Sequence, residues 1–226
     1  QGMTGFGAGL VSGPILASFL DPKLVMVILL VTGISNLLFV AYHSRKAVDL
    51  GRLLPLALFA IMGSPFGAYL LMVVPPSIAR PLIAIVSIIF SILLLLGYSR
   101  RLERESLASC GCGFFSGILT ASIAMGGPPI IIFMANQGWP KAMFRATVAF
   151  LFLITGTLSL FSHVLTGVTT GERMIIGLSL IPAAIIGFYF GDALFEKTSH
   201  KRFITVALIL ILISGLTSLT MSLVRI

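Results

Sequence analysis

The sequence predicts an all-α polytopic membrane protein made of two inverted four-segment repeats, each starting with a segment broken by Gly and Pro. Hydrophobic residues make up 58% of the 226 residues and charged residues only 10%, whereas ordinary globular chains carry about a quarter charged residues. Apolar runs of about 20 residues, enough to cross a bilayer, recur along the chain. The net charge of +8 comes from short clusters between these runs. Such clusters are typical of loops that orient a membrane protein, and they do not indicate a nucleic-acid partner.

Eight apolar segments follow from this length criterion. Gln1 opens directly on an apolar stretch without a basic region, so we expect no signal peptide and a start inside a hydrophobic segment. The basic stretch 99–105 separates a first transmembrane repeat, 1–98, from a second, 106–226. The predicted segments are 1–20, 23–41, 52–74, 77–98, 106–137, 142–165, 173–195 and 203–224.

The two halves resemble each other in three features that occur in the same order. Weak internal repeats with Gly/Pro-interrupted segments at matching positions indicate a transporter whose substrate binds between the repeats. The matching pairs are 5–14 with 113–129, 63–70 with 181–194, and 77–96 with 199–216.

The distribution of Lys and Arg predicts the topology. If segment 106–137 turns back at its Gly-Gly-Pro-Pro sequence, eleven of the fifteen cations share one side, which the positive-inside rule assigns to the cytoplasm together with linker 99–105. The second half then runs opposite to the first, and repeat symmetry predicts a broken hairpin in segment 1–20 as well. The eleven are Arg45, Lys46, Arg52, Arg100, Arg101, Arg104, Lys141, Arg145, Lys197, Lys201 and Arg202, and the other four are Lys23, Arg80, Arg173 and Arg225.

The break in each half predicts an anion site. Pro128 and Pro129 suit the first turn of a helix, so a short helix would begin there with its positive end deep in the bilayer. A second such helix would begin at Pro14. Two facing helix N-termini bind anions, and glycines let backbone amides approach a ligand. The candidate backbone positions are Gly5, Gly7, Gly9, Gly13, Gly126 and Gly127.

Polar side chains near the breaks are further candidates. Ser35 and Asn36 lie in the middle of segment 23–41, where Asn36 either lines the site or holds helices together. The hydroxyls of Ser12, Thr120 and Ser122 either donate to the anion or bond back to their own helix.

Two ionisable side chains of segment 142–165 have alternative interpretations. Arg145 either coordinates the anion through its planar guanidinium or extends to the headgroups. His163 is expected at the membrane interface, with proton coupling as the weaker alternative.

No enzyme motif is evident. The chain has no HExxH or GxSxG sequence and no paired aspartates, and its seven acidic residues lie at or near segment ends. The two cysteines, Cys110 and Cys112, are interpreted as packing residues. We therefore predict neither catalysis nor a cofactor or metal.

The sequences "GFGAGLVSGPIL" (5–16) and "GGPPIIIFMANQGWPKAMFRAT" (126–147) resemble the sulfite exporter TauE/SafE family, and the resemblance extends over essentially the whole chain. It implies a bacterial inner-membrane transporter of sulfur oxyanions or organosulfonates, such as sulfite or sulfoacetate-like anions. The resulting hypothesis is a secondary transporter that is surrounded by membrane lipid. A homodimer is possible and is not predicted further. The alternatives are an anion channel and a structural membrane subunit without transport activity.

Overall fold

A computed structural model describes residues 8–95 and 105–196 of the protein. These two ranges contain nine α-helices, a 3₁₀ turn at Arg45–Ala47 and no strand, which confirms the all-α class. The helices are α1 (Ala8–Phe19), α2 (Pro22–Ser44), α3 (Leu50–Val73), α4 (Pro76–Leu95), α5 (Glu105–Ile123), α6 (Gly127–Asn136), α7 (Lys141–Leu165), α8 (Gly171–Ser179) and α9 (Ile181–Glu196).

Within the described ranges, five helical stretches are long and apolar enough to cross a membrane, which confirms a multi-pass membrane protein. They are Pro22–Ala47, Leu50–Val73, Glu105–Ile123, Ala142–Leu165 and Gly171–Phe190. The predicted segment 203–224 lies outside the described residues.

Acidic residues begin two of the long helices. The Asp21 carboxylate accepts hydrogen bonds from the backbone N–H of Lys23 at 2.8 Å and of Leu24 at 3.3 Å. Asp49 caps α3 in the same way, through the N–H of Gly51 and Arg52. An N-cap side chain satisfies backbone donors that have no partner in the first turn. These two carboxylates therefore fix where α2 and α3 begin.

Helices α3 and α5 pack closely through glycines. A Cβ on Gly113 would lie 2.5 Å from the Leu56 carbonyl oxygen, and a Cβ on Gly117 would overlap the Ala60 carbonyl. From the other side, Cβ atoms on Gly63 and Gly67 would overlap the carbonyls of Phe114 and Ile118. Residue numbers rise together on the two helices, so α3 and α5 are parallel. Small residues spaced by four bring membrane helices into such backbone contact.

The contacts define two ends of the helix bundle. The Trp139 end contains the starts of α3 and α5, because Arg52 of α3 and Trp139 both contact Glu105 of α5. The His163 end contains the start of α2 and the end of α3, because the Lys23 ammonium donates to the Met72 carbonyl.

The described cations lie at both of these ends. Arg45, Lys46, Arg52, Lys141 and Arg145 belong to the Trp139 end, and Lys23, Arg80 and Arg173 belong to the His163 end. That the Trp139 end is cytoplasmic stays a prediction.

Two predicted segments differ from the structure. Helix α1 is continuous from Ala8 to Phe19, so the prediction that a helix begins at Pro14 is wrong. A single proline removes one backbone hydrogen bond, and membrane helices tolerate this when neighbouring groups compensate. The predicted segment 173–195 consists of two helices that meet at Leu180, just before Pro182.

Candidate functional site

The predicted break in segment 106–137 is present. Helix α5 ends at Ile123 and α6 begins at Gly127, with prolines in its first turn and Gly126 as its N-cap. Between them, Ala124 has φ = 54°, a left-handed conformation that is usually adopted by glycine at a helix end. Met125, Gly126, Gly127 and Pro128 are buried. The break is therefore an interior feature of the protein.

A hydroxyl of α5 holds the break in position. Ser116 donates a 2.7 Å hydrogen bond to the Gly126 carbonyl, and Thr120 donates a 2.7 Å bond to the Ser116 carbonyl. Gly126 lies so close that a Cβ there would be 2.5 Å from the Ser116 carbonyl oxygen and would overlap the Thr120 hydroxyl. Only glycine fits this contact. Ser116 was not among the predicted site residues, although it lies four residues before Thr120.

Helix α6 runs back along α5. The Trp139 indole, just after α6, donates a 3.1 Å hydrogen bond to the Glu105 carboxylate at the start of α5, while the start of α6 contacts Ser116. With ten residues at 1.5 Å per residue, α6 is about 15 Å long. Its N-terminus therefore lies about 15 Å inside the Trp139 end. The two prolines have no N–H, so Gly126 and Gly127 are the amide donors at this end, and the N-cap residue Gly126 has no side chain with which to cap it.

Helix α1 from the first half lies next to the break. A Cβ on Gly13 would lie 2.9 Å from the Met125 terminal methyl and 3.7 Å from a Leu29 methyl. Gly13 is buried and Met125 is 1% exposed. Two of the predicted Gly/Pro regions thus meet in space, although they do so through a continuous α1.

His163 lies in the last turn of α7, near the end of its segment, and its side chain is fully buried. Its position at the membrane interface stays a prediction. The Nε2 atom lies 2.7 Å from the Ala121 carbonyl oxygen; because a carbonyl only accepts, Nε2 donates. Ala121 is in the last turn of α5, where carbonyls lack helical partners. His163 therefore ties α7 to the end of α5, beside the break. Its Nδ1 atom is buried without a hydrogen-bond partner among the described residues.

Three further polar residues of α7 are fully buried: Thr147, Thr155 and Ser159. Successive four-residue spacings place Thr155, Ser159 and His163 on one face of the helix. Thr155 and Ser159 donate to backbone carbonyls of α7 at 2.9 and 2.7 Å. The Thr147 hydroxyl has no partner among the described residues. The signal for this face was the four-residue spacing, which was not used in the predictions.

The remaining candidates lie in several places. Thr120 and Ser122 donate to carbonyls of their own helix at 2.7 Å, which agrees with the alternative of back-bonding. Gly9, Ser12 and Pro14 belong to α1. Gly7, like Gly5, lies outside the described residues. Pro128 and Pro129 lie in the first turn of α6.

Ser35 and Asn36 lie on α2 and Arg145 lies on α7. Ser35 donates to the Thr32 carbonyl and lines an apolar groove between α2 and α7. Asn36 is buried in the middle of α2, with 6% exposure. Arg145 is half-buried and lies four residues from the start of α7, so it belongs to the Trp139 end.

Comparison with known proteins gives one family. The profile of the family described as "Sulfite exporter TauE/SafE" matches residues 1–218. No curated protein and no solved structure matches the chain significantly.

Proposed function

Because the chain belongs to the sulfite exporter TauE/SafE family, a family of membrane transporters, we propose that it is a secondary transporter of small sulfur oxyanions or organosulfonates. In this proposal the substrate binds at the start of α6, between the two halves of the chain, and crosses the inner membrane of a bacterium. The re-entrant hairpin formed by α5 and α6 and the inverted arrangement of the halves are parts of the same proposal.

The buried N-terminus of α6 is the observation that carries the proposal. A helix N-terminus bears about half a positive charge, and Gly126 and Gly127 supply N–H donors without side chains in the way. An α6 of about 15 Å reaches half the depth of a hydrocarbon core of about 30 Å. An oxyanion that loses its water there needs donors that are already in place, and the break supplies them.

Burial of the break favours a carrier over a channel. Met125 is 1% exposed, and the neighbouring Gly126, Gly127 and Pro128 are buried as well. An anion reaches these residues only after helices or the flexible Met125 side chain have moved. Alternating access supplies such movement, whereas an open channel requires a continuous aqueous path.

Flux measurements on purified protein in liposomes test the proposal. Sulfite flux that saturates with concentration supports a carrier, flux that never saturates supports a channel, and absence of flux supports a structural subunit. Gly127→Leu should abolish the saturable flux, because its side chain fills the approach to the helix end. Gly111→Leu is the matched control, since a Cβ at Gly111 has no atom within 4 Å. Normal flux through Gly127→Leu contradicts the proposed site.

A further inference from the structure

A cavity with several polar residues in its lining lies away from the break. It is at the Trp139 end, between the starts of α3 and α5 and the end of α6, and has a volume of about 280 Å³. Arg52, Glu105, Ser106, Ser109 and Trp139 line it, and Phe133 forms part of its wall. None of these residues belongs to the proposed substrate site. The cavity is large enough for a hydrated sulfite-sized anion.

Among the described residues that line this cavity, Arg52 is the basic one, and its contacts with carboxylates are loose. Its Nε atom lies 3.8 Å from Glu105 and 3.9 Å from Asp49. Charge-assisted hydrogen bonds of a guanidinium are about 2.7–2.9 Å long, so both pairs are electrostatic contacts without a close hydrogen bond. The Arg52 side chain is 42% exposed. Its fork of N–H donors can therefore turn to an incoming oxyanion without breaking a strong bond.

Glu105 and Trp139 are positioned to respond to such an anion. The Trp139 indole donates to Glu105 at 3.1 Å, and the Arg52 guanidinium lies 5.1 Å from the centre of the Trp139 ring. Trp139 is 8% exposed and packs edge to face on Phe133 of α6. The Glu105 carboxylate is thus an anionic group that the protein itself holds beside Arg52.

Three hydroxyl residues of α5 lie between the cavity and the break. Ser109, which lines the cavity, lies two helical turns before Ser116, which holds the Gly126 carbonyl. Ser109, Ser116 and Thr120 are all buried, with exposures of 4%, 0% and 5%. Their spacing places them on one face of α5. Polar groups on that face lead from Arg52 to the start of α6.

We propose that the Arg52 cavity is a second anion site, which admits the sulfur oxyanion at the Trp139 end and in which Glu105 competes with the substrate for Arg52. When the anion binds Arg52, Glu105 is displaced from the guanidinium and keeps its bond to Trp139. This inference rests on the proposed anion transport and extends it to a named residue at one end of the path.

The single tryptophan of the chain makes this site measurable. Titration of purified protein with sodium sulfite at constant ionic strength should give a saturable change in Trp139 fluorescence, with N-acetyltryptophanamide as the control for quenching by sulfite itself. Arg52→Gln should raise the apparent Kd about tenfold, as expected for the loss of one charge-assisted hydrogen bond. Arg45→Gln, which removes the same charge from the same end but not from this cavity, should leave the Kd unchanged.

Glu105→Gln separates competition from structural support. The glutamine oxygen still accepts from the Trp139 indole, but it carries no charge to hold Arg52. We expect the apparent Kd for sulfite to fall about threefold, the size of a weak, partly exposed ion pair. An unchanged or higher Kd in this variant contradicts the competition.

The outcomes distinguish this site from the proposed function. In Gly127→Leu the Trp139 titration should persist although flux is lost; if the titration disappears, its signal comes from the α6 site and the inference is wrong. Saturable flux in wild-type protein without any Trp139 response overturns the second site alone. The absence of both overturns the transport function as well.

Discussion

Gly126→Ala tests the close contact between α5 and the start of α6. A Cβ at this position would lie 2.5 Å from the Ser116 carbonyl oxygen and 2.9 Å from the Ser116 hydroxyl, and it would overlap the Thr120 hydroxyl. None of these atoms can move away easily, because one is backbone and both hydroxyls are held by 2.7 Å hydrogen bonds. The start of α6 must therefore shift away from α5.

Two costs follow from that shift. Overpacking of a well-packed interior costs about 1–3 kcal/mol. The Ser116 hydrogen bond to the Gly126 carbonyl is lost, and a buried acceptor without a partner costs about 1–3 kcal/mol. We expect Gly126→Ala to lower the free energy of unfolding by about 3 kcal/mol, between these combined limits. Saturable sulfite flux should also be lost, because the two amide donors move with the helix.

Gly111→Ala is the matched control on the same helix. Its Cβ meets no atom within 4 Å, and alanine favours a helix over glycine by about 1 kcal/mol, so its stability should equal or exceed that of the wild type. Unfolding in detergent followed by Trp139 fluorescence compares the two variants. If Gly126→Ala is as stable as Gly111→Ala and transports sulfite normally, the described contact between α5 and α6 is refuted.

Variants at four further positions test neighbouring features. Gly117→Ala places a methyl group against the backbone of α3 and should lower the free energy of unfolding by about 2 kcal/mol, measured in the same detergent assay; wild-type stability contradicts the close α3–α5 packing. Ala124→Gly should raise stability by about 1 kcal/mol, because glycine adopts the left-handed conformation without strain; a lower melting temperature contradicts this. His163→Phe removes the donor to the Ala121 carbonyl and should lower the free energy of unfolding by about 1–3 kcal/mol. His163→Gln keeps a donor and should recover part of this loss. Equal stability of the two variants excludes a role for the hydrogen bond. Arg145→Ala should raise the apparent KM for sulfite more than it lowers expression, and an unchanged KM assigns Arg145 to the headgroup region instead.

Proline content alone did not predict where helices break. The Gly-Gly-Pro-Pro sequence at 126–129 was predicted to interrupt its segment, and it does. The single Pro14 was predicted to start a helix, yet α1 runs through it, and α3 likewise contains Pro55 and Pro65. One proline removes one hydrogen bond, whereas two in succession remove two and add two clashes with preceding carbonyls. The consecutive Pro128 and Pro129 therefore interrupt their segment, whereas the single Pro14, Pro55 and Pro65 are tolerated within helices.

Helix faces were harder to predict than helix positions. In a soluble protein the apolar face marks the core, but in a membrane both the lipid side and the protein side are apolar, so hydropathy does not show which residues meet. The usable signal was small-residue spacing: Gly63 with Gly67 on α3, and Gly113 with Gly117 on α5. His163 shows the same difficulty. Its burial results from its contact with α5, which its position near the end of its segment does not reveal.

The packing also indicates which wall of the proposed site can move. On the α3–α5 side, glycines bring the two backbones into direct contact, from Gly113 as far as the contact between Gly67 and Ile118. Interiors packed this closely do not deform gradually. On the α1 side, Gly13 meets the break only through the terminal methyl of Met125, a side chain with three rotatable bonds. If the start of α6 binds the anion as proposed, we expect the α1 side of the break to yield before the α3–α5 side does.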